Sequence, residues 1–167
     1  GKLPPQVLDL EEAVLGAMMI DKKGVDEVID ILQADAFYKD AIALGKYLAG
    51  RQITIVYGGA KVGLMGAVAD GAISANGQVI GVIPDFIKNK EIAHEGLTQL
   101  IEVKSMHERK TIMHEKSDGA IILPGGFGTL DEMFELLTWG QLGLHTKPIG
   151  ILNTSGYYDD LMRFLDS

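Results

Sequence analysis

Two charged residues stand where the sequence concentrates its chemistry. Glu132 closes the string Pro124-Gly125-Gly126-Phe127-Gly128-Thr129-Leu130-Asp131-Glu132, and Arg109 follows Ser105-Met106-His107-Glu108. A carboxylate can stabilise a developing positive charge or activate water, and a guanidinium can hold a phosphate or a carboxylate in a fixed fork. The string before Glu132 is entered by a strand-like apolar run, Gly119 to Leu123, and left by a helical pattern from Leu130 to Trp139. Strand, glycine-rich turn and helix in that order aim backbone N–H groups at an anion. The glycines let the backbone approach a ligand without Cβ collisions. Thr129 and Glu132 also have the spacing of a capping box, which predicts a helix beginning at Thr129. Glu132 therefore has two readings, a cap for the helix or a reactive carboxylate in a cleft, and spacing alone leaves both open.

Arg109 and Lys110 fall early in a helix that Ser105 and Glu108 should cap. Cations there oppose the helix dipole at a cost of up to about 1 kcal/mol each, which a phosphate or carboxylate partner would offset. A solvated ion pair with Glu108 or Glu115 is the competing reading. A second glycine-rich turn, Gly58 to Gly66, follows the β-branched run Ile53–Tyr57 and opens a helix from Leu64 to Ala75. It is not a Walker A loop, because no Gly-Lys-Ser/Thr closes it. No acidic residue ends the next strand to hold a dinucleotide ribose, so a single phosphate suits it better. His107 and His114 lack a third ligand and make a poor metal site. His94 and His145 carry no context, and Met65, Met106 and Met113 read as core or pocket wall.

The elements that must position these residues fall into two regions. Residues 1–40 read as an acidic helical hairpin, with Asp9 capping a stripe of Leu10, Val14, Leu15 and Met18, and a second helix from Val25 to Leu32. Residues 41–167 alternate. A helix, Ala41–Ala49 with Gly50 as its cap, leads to the strand Ile53–Tyr57. The helix 64–75 is closed by Asn76-Gly77, and the strand Val79–Ile83 is stopped by Pro84. Phe86 to Glu95 is a loop or short helix, followed by a strand from Leu97 to Val103. The helix capped by Ser105 runs to Lys116. After the strand 119–123 come a helix 130–142, a strand Pro148–Leu152 and a closing helix Asp159–Leu165. Strands joined by helices, with no hairpin signals, predict an α/β fold with a doubly wound parallel sheet. Ligands bind beyond the carboxyl ends of such strands, so the turns after Tyr57 and Leu123 are expected to share a crevice.

Composition narrows the function classes. A chain of 167 residues, 47% hydrophobic, can bury one sizeable core, and 21 glycines against five prolines suit tight strand-to-helix turns. A formal charge of −8 argues against a nucleic-acid-binding surface. The absence of cysteine excludes disulfides, thiolate zinc sites and a thiol nucleophile. No apolar run is long enough to span a bilayer, and Gly1-Lys2-Leu3-Pro4-Pro5 lacks the regions of a signal peptide, so a soluble cytoplasmic protein is expected.

Ser105-Met106-His107-Glu108-Arg109-Lys110, taken with Pro124 to Glu132, resembles the LOG (Lonely Guy) family of cytokinin riboside 5′-monophosphate phosphoribohydrolases, historically mislabelled lysine decarboxylases. The resemblance extends from Ala41 to the C-terminus, through Val56 to Gly66 and Thr138 to His145. It implies a Rossmann-like fold and hydrolysis of the N-glycosidic bond of AMP or an N6-modified AMP, without cofactor or metal, in a homodimer. It implies that Arg109 and Glu132 are the catalytic pair and that Gly125, Gly126, Gly128 and Thr129 form the phosphate-binding turn. Gly59 and Met106 would line the nucleotide pocket, with Lys110 beside the catalytic arginine. Nothing here suggests a pyridoxal-phosphate lysine.

Two departures accompany the resemblance. The family's first strand, central in its sheet, is absent, which leaves two neighbours short of a ladder partner. Residues 1–40 instead resemble the N-terminal domain of a bacterial DnaB-type replicative helicase, carried by Leu3-Pro4-Pro5-Gln6 and Asp9 to Met19, with the join near Phe37–Ala41. The closing helices after Leu165 are also absent. The expectation is an α/β domain over 41–167 behind a helical head, as a phosphoribohydrolase or alternatively a non-catalytic nucleotide-binding or assembly module, an inactive chimera.

Overall fold

A computed structural model describes residues 34–88 and 93–166. Of the helical hairpin expected over 1–40, residues 1–33 lie outside the described residues. The rest divides into two compact units, Tyr38–Gly119 and, from the described residues, 34–37 together with 120–166.

In the unit Tyr38–Gly119, three parallel strands lie in chain order: β1 (Ile55–Tyr57), β2 (Val79–Pro84) and β3 (Gln99–Val103). Ile55 is in register with Val79, and Ile80 with Gln99. The middle strand is apolar throughout, with Val79, Val82 and Ile83 fully buried, as a strand covered on both faces must be. Helix α1 (Ala34–Gly50) precedes β1, and α2 (Gly63–Ser74) links β1 to β2. These two helices meet through glycine: a Cβ at Gly45 would run into the Val68 carbonyl, and one at Gly71 into that of Ile42. The close approach explains why the spacing is held by the two smallest residues rather than by interdigitated side chains. Asn76 adopts a left-handed φ of 58°, and the Gly77 N–H returns to the Ala72 carbonyl at 2.8 Å, closing α2 at the expected Asn-Gly. A one-turn α3 (Asp85–Lys88) follows β2, and α4 (Met106–Lys116) packs against all three strands.

The second unit holds β4 (Ala120–Ile122) parallel to β5 (Ile149–Ile151), joined by α5 (Phe127–Gln141) and followed by α6 (Asp159–Leu165). Its core is Ile122, Met133 and Tyr158, with Leu130, Leu137, Ile149 and Ile151 packed around them.

The α/β class with parallel strands is as the sequence implies. The ladder comes as a three-stranded and a two-stranded sheet, and among the described residues β1 pairs only with β2, and β4 only with β5. Among the described residues β2 alone has a partner on both sides, and β1, β3, β4 and β5 have one each.

Two helix starts differ from the sequence reading. α1 already includes Ala34, seven residues before Ala41 and the first of the described residues. α5 begins at Phe127 with Gly126 as its N-cap, where no side chain makes a capping bond. Gly126 supplies the extended backbone turn itself (ψ −147°), so no hydroxyl is needed to start the helix. The capping box expected at Thr129 and Glu132 is therefore absent. The one expected at Ser105 is present: its hydroxyl accepts from the Glu108 N–H at 3.1 Å. The Glu108 carboxylate reaches one residue further back, to the Lys104 N–H at 2.8 Å.

Candidate active site

Arg109 is anchored by the start of α4 and lies under the end of β1. It is 9% exposed, the only buried residue of its helix among those described. Its Nη2 occupies the space beside Gly58 that any Cβ there would fill, and Nη1 points to the Met106 sulfur at 3.8 Å. No carboxylate pairs with it among the described residues, and its buried Nε–H has no acceptor. The solvated ion pair with Glu108 or Glu115 is thereby excluded. A buried guanidinium with an unmet N–H is costly unless an anion or a polar ligand meets it. Met106, 37% exposed, forms part of its rim, and Lys110 is the next residue of α4.

The turn after β1 is held by contacts from a distant segment. Gly59 has φ +82°, which a side chain would strain, and its carbonyl accepts the His94 N–H at 3.0 Å. Ala60 bridges to Ala93. The buried His94 ring places Nδ1 at 2.5 Å from the Glu95 carbonyl and Nε2 at 3.1 Å from the Asp70 carboxylate on α2. Its role had no signal in the sequence, because Asp70, Gly59 and His94 come together only across the strand crossover. Tyr57, also buried, has a hydroxyl without a partner, and its ionisation is pushed well above the usual tyrosine range by burial and then by the Asp70 carboxylate. The structure thus brings Gly58, Gly59, Met106 and Arg109 together, and leaves two polar groups in their unit unsatisfied.

In the other unit, the expected phosphate turn runs from β4 into α5. Gly125 is buried under the Thr129 side chain, which leaves no room for a Cβ, and Gly126 and Gly128 open the first turn. The Gly126 carbonyl accepts the Leu130 N–H at 3.0 Å, so the N–H groups ahead of Leu130 are the unfilled donors of a helix start. Glu132 is the sixth residue of α5, beyond its first turn. No side chain caps this helix start, and Glu132 lies inside the helix rather than three residues after its cap. Two residues that the sequence did not single out buttress this turn. The Tyr157 hydroxyl donates to the Gly125 carbonyl at 3.1 Å, and that of Tyr158 to the Leu123 carbonyl at 2.8 Å.

Residues 65–167 match a family model described as possible lysine decarboxylase. Residues 3–44 match a second one, described as DnaB-like helicase N terminal domain. The chain is 50% identical over 130 residues to a probable cytokinin riboside 5′-monophosphate phosphoribohydrolase, LOGL9, of Oryza sativa subsp. japonica, covering 77% of this chain and 57% of that protein. It is 48% identical over 130 residues to the cytokinin riboside 5′-monophosphate phosphoribohydrolase LOG1 of Arabidopsis thaliana, covering 77% and 61%. The chain thus spans only part of the length of these relatives. Among solved structures, the molybdenum cofactor carrier protein of Chlamydomonas reinhardtii aligns with a TM-score of 0.63 at 24% identity, over 79% of this chain and 76% of that one. The molybdenum cofactor binding protein of Rippkaea orientalis aligns at 0.55 and 23%, over 79% and 89%. At that identity the likeness concerns the fold.

Proposed function

The chain belongs to the LOG family, whose model is the one described as possible lysine decarboxylase, and we propose that it hydrolyses the N-glycosidic bond of AMP or an N6-modified AMP. The observation that carries the reading is Arg109: a buried guanidinium with an unmet N–H beside a glycine-lined strand end is built to receive an anionic ligand. Relatives at about half identity that are named phosphoribohydrolases indicate which anion, a nucleoside 5′-monophosphate.

In this reaction the C1′–N bond breaks and a C1′–O bond forms from water. The departing base takes up a proton, and ribose 5-phosphate remains. Positive charge builds on the ribose as the base leaves, so a carboxylate stabilises it or draws a proton from the attacking water. Glu132 takes that role, consistent with its position beyond the helix cap. Arg109 orients the substrate, with Lys110 as the neighbouring cation and Gly59 and Met106 lining the nucleotide pocket. The Gly125, Gly126, Gly128 and Thr129 amides hold the phosphate and supply binding energy remote from the bond that breaks. The enzyme works as a homodimer, a reading supported by the exposed apolar residues Phe127, Leu142, Leu144 and Phe164. Light scattering should then give twice the 18.0 kDa chain mass. Residues 1–40 are read as an interaction segment.

Incubating the whole chain with AMP or isopentenyl-AMP should release free base. Glu132→Ala should reduce the release by at least about 100-fold, the scale on which loss of one transition-state-stabilising group acts. Base release undiminished in that variant would remove Glu132 from the mechanism. Saturable AMP binding with no turnover by the unaltered chain would reassign it as a binding module.

A further inference from the structure

We infer that Tyr157 and Tyr158 position the phosphate turn, their hydroxyls holding the Gly125 carbonyl, which decides which way the Gly126 N–H faces, and the Leu123 carbonyl, which sets where the turn begins. This rests on the proposed reading of that turn and adds the groups that act through it.

In a trans peptide the carbonyl and the following N–H point in opposite directions in one plane. Fixing the Gly125 carbonyl therefore fixes the Gly126 N–H on the other side. The Tyr157 hydroxyl donates to that carbonyl at 3.1 Å, and the Tyr158 hydroxyl lies 3.5 Å from it. The Tyr158 hydroxyl makes its shorter bond, 2.8 Å, to the Leu123 carbonyl two residues earlier. Both ends of the Leu123–Gly125 segment are thus held from the same side. Gly125, with no room for a Cβ beside Thr129, has no side chain of its own with which to be packed into place.

The tyrosines are themselves fixed. Their rings meet edge to face at 4.7 Å, and Phe37 meets Tyr157 in the same way at 5.8 Å. Tyr158 is 3% exposed and belongs to the core with Ile122 and Met133. The Tyr158 N–H donates to the Asn153 side-chain carbonyl at 2.7 Å, and the Asn153 amide donates to Asp159 at 2.6 Å. Burial keeps both phenols protonated far into alkaline pH, so the donors persist over any ordinary assay range.

The test compares AMP with adenosine, which differ in the phosphate alone, by titration calorimetry on the whole chain. Replacing both tyrosines (Tyr157→Phe with Tyr158→Phe) keeps the rings and removes the hydroxyls. The expected result is AMP affinity weakened about tenfold, with adenosine affinity unchanged within twofold. A purely structural contribution would weaken both ligands by the same factor, and that outcome overturns the inference, as does an unchanged AMP affinity. Should the double variant fail to fold, Tyr157→Phe alone, at the half-buried member, carries the same comparison with a smaller expected shift. An unaltered chain that binds AMP no better than adenosine also overturns it. Failure of the catalytic reading shows separately, as AMP binding by the unaltered chain without base release.

Discussion

Gly58 and Arg109 share one small space, and the consequences of disturbing it are specific. A methyl group at Gly58 would meet the far end of the arginine side chain rather than backbone, so the guanidinium must move while the strand stays. Gly58→Ala should leave the melting temperature nearly unchanged and weaken AMP binding by about tenfold, measured by calorimetry. A large drop in melting temperature with intact binding would show that Gly58 serves packing alone. Arg109→Lys should fare little better than Arg109→Ala, because an ammonium cannot fill the planar slot and present two N–H edges at once. The sequence pointed to Arg109 through its unfavourable place in a helix start, and that signal was physical. It could not point to His94, whose partners Asp70 and Gly59 lie 24 residues or more away in the chain, or to the carbonyls that Tyr157 and Tyr158 hold.

Among the elements, α1 and α2 make the most sharply testable contact. Their crossing is set by Gly45 and Gly71, each facing a backbone carbonyl that cannot give way. Gly45→Ala or Gly71→Ala should destabilise by about 1–3 kcal/mol, the usual cost of overpacking, seen as a lower urea midpoint with an unchanged slope. A midpoint within error of the original would mean that the helices can separate freely. Elements were legible where two signals agreed. The strand Val79–Pro84 had apolar continuity and a proline stop, and α4 had Ser105 and Glu108 at its start. Helix starts failed where one signal stood alone. Thr129 and Glu132 fit a capping pattern, but the glycine ahead of them had already turned the chain, and α5 began two residues earlier. The division of the ladder into three strands and two was not legible, because pairing is a property of the whole set of strands rather than of any single segment.

For the molecule as a whole, protonation gives a stability signature. The phenols of Tyr57, Tyr157 and Tyr158 all ionise above their usual value of about 10, with burial the leading cause. Above pH 10 the unfolded chain loses these protons while the folded chain keeps them, so the folded state binds more protons and stability falls as pH rises. Below pH 10 this contribution is complete and flat. Denaturation midpoints measured from pH 8 to 11 should hold steady and then decline, and the decline should be shallower in Tyr158→Phe. A product balance tests the proposed hydrolysis most directly. The unaltered chain, incubated with AMP, should yield free adenine and ribose 5-phosphate in equal amounts, with neither formed by Glu132→Ala. Adenosine and inorganic phosphate in their place, or equal product from both proteins, would contradict it.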